Sequence, residues 1–145
     1  MNSVNLAKKS ENLFINKNLL YIQEEYQLNN TENIDYIVSI LEEKKAKDIK
    51  VLEVKEVTLV ADYFVVCSGT STTHIKALAD ELELKLEEEK GIKMHHREGY
   101  NSARWILLDF SDVIVHIFHQ DDRMYYNLEK IWSEAKDVII KGKTE

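Results

Sequence analysis

The chain has 145 residues, 44% of them apolar, and carries 26 acidic against 19 basic residues for a formal charge of −7. That length fits one domain, which buries roughly 68–70% of its unfolded surface and needs neither metal nor disulfide to hold a core. The single cysteine, Cys67, excludes an intrachain disulfide and suits a reducing compartment, and no apolar run reaches the length of a membrane span or a secretory core, so a cytoplasmic, soluble protein is expected. The acidic balance disfavours an RNA-backbone binder and fits a basic protein partner better, although acidity that serves solubility alone is the commoner case.

Residues 1–30 are polar with scattered apolar positions and read as an N-terminal extension, flexible or weakly helical over Leu13–Tyr26. The main domain is expected over 31–145. Thr31 is a candidate cap for a helix that places Ile34, Ile37, Val38 and Leu41 on one face. Ile49–Val54 reads as a strand. Tyr63–Cys67 reads as a second one, apolar on both faces and therefore central in the sheet. Ser68–Thr73 is a turn with several helix caps, and the following helix runs to about Lys90, with Ile75, Leu78, Ala79, Leu82 and Leu86 inside and Gly91 as a stop signal. Ile92–His95 is a candidate short strand. A last helix is expected from about Asp121 or Asp122, burying Leu128, Ile131, Trp132, Ala135, Val138 and Ile139.

Between these lies the most distinctive stretch, Trp105–Phe118, in which a Ser-Asp pair interrupts a long apolar run. It reads as a hairpin. With Ser111 and Asp112 as the loop, Asp109 opposes Ile114, Leu107 opposes His116 and Trp105 opposes Phe118. Directly paired residues share a face. Trp105, Asp109 and His116 then project from one side, and Ile106, Leu108, Phe110, Val113, Val115 and Ile117 form an apolar core face on the other. The polar exceptions suggest a structural hydrogen-bonded pair between Asp109 and His116. The whole order predicts an α/β (α+β) architecture with about five strands in a mixed sheet covered by helices.

Three chemistries are open to these residues. Gly69, in a turn between strand and helix, could hold an anion on backbone amides, but the turn lacks the spacing and lysine of a phosphate loop. A nucleotidyltransferase would need two carboxylates on one face, and Asp109 stands there without a second. His74, His95, His96, His116 and His119 show no zinc-ligand spacing, so no metal or cofactor is expected. A nucleotidyltransferase-like enzyme or a phosphate-binding protein using the Gly69 turn and Asp109 is the alternative reading, and catalysis is not expected.

Ala61–Ser71, Ala77–Asp80, Glu98-Gly99, Trp105–Phe118, Arg123–Glu129 and Trp132 together closely resemble the ribosomal silencing factor family, also called iojap-like, over about residues 32–133. The resemblance implies a nucleotidyltransferase-like fold without the catalytic carboxylates. It also implies a non-enzymatic factor that binds a basic protein of the large ribosomal subunit, number fourteen in the universal naming, at the face that meets the small subunit. Occlusion of that face would block subunit joining and repress translation when nutrients are short. Carried over by position, the contact residues would be Trp105 as aromatic anchor, Asp109, Phe110, Asp112 and His116 nearby, and Tyr63 and Glu98 more weakly. Little direct RNA contact and no membrane are expected, and a homodimer is allowed.

Overall fold

The computed structural model describes residues 3–123 and 136–137. The chain divides into two compact units, residues 1–33 and 34–145. Helix α1 runs Ser3–Glu43, so it does not start at a Thr31 cap as the sequence suggested. In the first unit it leaves Ile15, Leu19, Leu20, Tyr21 and Ile22 exposed.

The second unit is a layered α/β structure. Its remaining elements are β1 (Lys47–Glu53), β2 (Tyr63–Gly69), α2 (Thr72–Lys90), β3 (His96–Glu98), β4 (Trp105–Asp109), β5 (Val113–His119) and β6 (Lys136–Asp137). They form one mixed sheet in the order β3-β4-β5-β2-β1-β6, in which β2 and β5 are parallel and the other pairs antiparallel. Five strands match the expectation, and the sixth is a two-residue addition at the edge. That strand occupies residues assigned to the last helix by their spacing, and pairs Leu52 with Asp137 and Glu53 with Lys136. Leu128, Ile131, Trp132, Ala135, Val138 and Ile139 lie outside the described residues.

Helix α2 forms where its signals say it should. Ser71 Oγ accepts from the His74 amide at 3.1 Å, and Gly91 ends the helix at φ 66 with its amide donating to Glu87 O at 3.1 Å. Its inner residues Ile75, Leu78, Ala79, Leu82 and Leu86 are all buried, as are Ile34, Ile37, Val38 and Leu41 of α1. Both sets pack into one cluster with Val65, Cys67, Ile106, Leu108, Val115 and Ile117, so the two helices cover a single face of the sheet. The other face has its own apolar cluster, built from Leu52, Val54, Ala61, Phe64, Val66, Ile114 and Phe118.

The hairpin register is the expected one: Trp105 pairs with Phe118, Leu107 with His116 and Asp109 with Ile114. Strand β2 is central and every residue in it is buried, in keeping with its apolar run. Strand β3 begins at His96, after the segment favoured by its apolar residues, and its three residues are exposed. An edge strand open on both faces carries no alternation to reveal it.

Candidate functional site

Alternation along the outer strands brings five polar or aromatic side chains, with Leu107 among them, to the face away from the helices. His96 pairs with Asp109 and Glu98 with Leu107, so β3 adds His96 and Glu98 to the face that already holds Trp105, Leu107, Asp109 and His116. His96 Nε2 and Glu98 Oε1 lie 2.8 Å apart and remain well exposed. Trp105, Leu107 and Asp109 are half-buried, while His116 behind them is 4% exposed. His96 is the member that the sequence did not place here, because the expected strand stopped at His95; the Glu98-Gly99 pair was the available signal.

Trp105 is held from several sides. Its indole stacks on Phe118 with ring centroids 5.0 Å apart, and its Nε1–H donates to His116 Nδ1 at 3.1 Å. His116 also meets Phe64 edge to face at 4.8 Å. The backbone is equally constrained. A Cβ on Gly99, whose φ is 77, would lie 2.0 Å from the Trp105 carbonyl oxygen, and the Ala103 amide donates to Gly99 O at 3.0 Å. Arg104, next to the tryptophan, forms a two-point ion pair with Asp122 through Nε at 2.5 Å and Nη2 at 2.9 Å. That pair holds the Asp122 carboxyl below its usual pKa.

The structure replaces the expected Asp109–His116 pair. Asp109 Oδ1 instead accepts from the Ser111 amide at 2.8 Å, closing the hairpin loop where Ser111 takes φ 73. A short carboxylate two residues before a turn amide satisfies it locally, which leaves His116 to the indole. Burial lowers the His116 pKa to about 4, so its ring is neutral near pH 7. With Nδ1 accepting from the indole, the ring proton sits on Nε2. That atom is buried without a hydrogen-bond partner among the described residues.

The remaining candidates fall elsewhere. Phe110 and Tyr63 are buried in the helix-side cluster, so the sheet itself separates them from Trp105. Asp112 sits in the hairpin loop, where its carbonyl accepts from the amides of Asp62 and Tyr63 at 2.9 and 3.0 Å. Gly69 and Asp109 are not brought together. Gly69 is level with His119 and Asp109 with Ile114, five residues away along the sheet, which is about 17 Å at roughly 3.3 Å per residue. One amide of the Gly69 turn is also engaged. Thr70 N donates to His74 Nδ1 at 3.0 Å, and His74 Nε2 reaches Lys44 O at 2.8 Å, so this turn caps α2 and ties it to the end of α1. Among the described residues no group of three or more His, Cys, Asp or Glu side chains could hold a metal ion, and no helix is long and apolar enough to cross a membrane.

The face therefore suits contact with a macromolecule: an aromatic ring fixed in place, with Glu98 and Asp109 close by. Comparison with known proteins agrees with a family of that kind. A family model described as ribosomal silencing factor during starvation matches residues 27–145. Ribosomal silencing factor RsfS of Halalkalibacterium halodurans is 43% identical over 115 residues, covering 79% of this chain and 97% of that protein. The mouse protein named mitochondrial assembly of ribosomal large subunit protein 1 is 35% identical over 106 residues, covering 70% of this chain and 45% of that protein. A crystal structure from Chromobacterium violaceum superposes with a TM-score of 0.67 at 32% identity, covering 79% of this chain and 94% of that one. The chain belongs to the ribosomal silencing factor family.

Proposed function

We propose that this protein binds the large ribosomal subunit through the face bearing Trp105 and keeps the small subunit from joining, so that translation falls when nutrients are short. The partner in this reading is the basic universal protein fourteen of the large subunit, and the site of action is the cytoplasm. Trp105 carries the proposal, because a half-buried indole fixed by His116 and Phe118 is preorganised for a partner's pocket and loses little freedom on binding. Glu98 and Asp109 on the same face supply charge of the sign that a basic protein requires. The mouse relative's name, which refers to assembly of the ribosomal large subunit, points to the same particle.

Occlusion of this kind needs no reaction. A domain of this size spans roughly 34–39 Å, since its radius of gyration is about 13–15 Å and a compact sphere is about 2.6 times that across, enough to fill the gap where an intersubunit bridge forms. The enzyme reading draws no support from the separation of Gly69 and Asp109.

Sedimentation of mixed subunits tests the proposal. Added protein should shift the profile from joined ribosomes toward free subunits and should itself travel with the large one. Trp105→Glu should abolish both effects while the fold persists. Undiminished co-sedimentation of that variant would remove Trp105 as the anchor, and joined ribosomes unaffected by the natural protein would remove the function.

A further inference from the structure

Strand β1 contains a register shift that changes which side chains share a face. Lys47 pairs with Ser68 and Lys50 with Val66, with the irregularity between them. In an unbroken strand, residues three apart point to opposite sides. Ser68 and Val66 are two apart on β2 and share a face, so the lysines opposite them share it too. Asp48 inside the irregularity has φ 50, and its carbonyl accepts from Arg123 Nη2 at 3.0 Å while Arg123 Nη1 donates to Ser68 Oγ at 2.8 Å. The guanidinium thus pins the bulge to the neighbouring strand.

The face concerned is the one that carries Phe64, Phe118 and Trp105. Lys47 and Lys50 are exposed there, and neither has an ion-pair partner among the described residues. Lys45 is also exposed in the turn before β1, and Lys44 only approaches Glu81 at 3.9 Å. From Lys44 to Leu52 the chain holds four lysines and one acid, Asp48, in a protein with 26 acidic residues overall. The face is consequently bipolar. Glu98 and Asp109 mark one margin and the lysines the other, with β4 and β1 three strand spacings apart, about 14 Å.

We propose that Lys47 and Lys50, aligned by the β1 bulge, engage backbone phosphates of structured RNA next to the protein partner of the Trp105 face. The inference rests on the proposed function, since a protein on the subunit surface is bordered by RNA, and it replaces the sequence-based expectation of little RNA contact. A basic rim on an acidic domain needs no base reading. It positions the domain, adds affinity that falls with salt, and leaves recognition to the indole.

Binding to purified large subunits across a salt series tests it. Each phosphate contact adds roughly 0.7–0.9 to the slope of log affinity against log salt, so Lys47→Gln with Lys50→Gln should lower the slope by roughly 1.4–1.8. Each single variant should lower it by about half as much. Lys85→Gln with Lys90→Gln makes the same change in net charge on α2, which covers the opposite face, and should leave the slope unaltered. An unchanged slope in the β1 variants overturns the proposal. Weaker binding with an unchanged slope assigns the lysines to a protein contact and overturns the RNA assignment. Natural protein that binds no subunits overturns the proposed function itself, a result distinct from either of the others.

Discussion

The indole of Trp105 and the imidazole of His116 are joined across the β4–β5 ladder by one hydrogen bond of 3.1 Å, with the indole as donor. The bond makes His116, which is almost entirely buried, the residue that sets the direction of the more exposed ring. His116→Phe keeps an apolar ring in the site but removes the acceptor. A typical net hydrogen bond of about 0.5–1.5 kcal/mol corresponds to a loss of roughly 2–12-fold in affinity for large subunits. Titration of subunits with labelled protein measures it, and an unaltered affinity would show that the indole is oriented by Phe118 alone.

Acid should destabilise the fold through the same histidine. Its pKa is about 4 in the folded state against 6.5 ordinarily, so the unfolded chain binds the proton first. Stability is therefore fully present above pH 6.5 and declines as pH falls toward 4, by about 2–3 kcal/mol from this group. Urea midpoints at pH 7.5 and 4.5 should differ more in the natural protein than in His116→Phe. Equal differences would dismiss the assignment.

Gly99→Ala should be among the most damaging small substitutions. The new Cβ meets the Trp105 carbonyl oxygen at 2.0 Å, and φ 77 is strained for alanine in any case. The combined effect should exceed about 2 kcal/mol in thermal or urea unfolding. Gly91→Ala provides the comparison, because it has φ 66 but open space around the added carbon. It should cost only about 1 kcal/mol.

Cys67 should resist thiol reagents in the native state. It is fully buried, and burial pushes its thiol up to about 12, so almost no thiolate is present at pH 8. Labelling should begin only at denaturant concentrations that unfold the domain. Rapid labelling of folded protein would contradict the position of β2.

Ser71→Ala removes the side chain that accepts from the His74 amide. A loss of about 1 kcal/mol is expected from the missing cap. Comparison of urea midpoints against Thr72→Ala, one residue into α2, separates the cap from general effects of substitution.

The parts of the fold that could be read from the chain are those where two local signals agree. The Trp105–Phe118 hairpin combined alternation with a two-residue loop, and its register followed; α2 combined an apolar face with Ser71 at one end and Gly91 at the other. Strand β3 gave no such agreement, because His96, Arg97 and Glu98 are exposed and owe their place to pairing with β4. Helix α1 was legible only where Ile34 to Leu41 needed burial, since its earlier turns leave apolar side chains in solvent. For the site, period and pairing identified the face but not the directions of side chains on it. Asp109 and His116 were correctly placed as neighbours and wrongly joined, because Ser111 N competes for the carboxylate and the indole competes for the ring. The lysine alignment in β1 depended on a bulge that three-residue spacing conceals.

The parallel pairing of β2 with β5 has a consequence for how the protein is made. Tyr63–Gly69 is synthesised early, but its central neighbour, Val113–His119, follows only after α2, β3 and β4. Contacts so distant in sequence are slow to form, and they need both segments clear of the exit tunnel. Until then Trp105 has neither Phe118 to stack on nor His116 to orient it. On the proposed function, a nascent copy is therefore unable to present the Trp105 face until Val113–His119 has emerged and paired with β2.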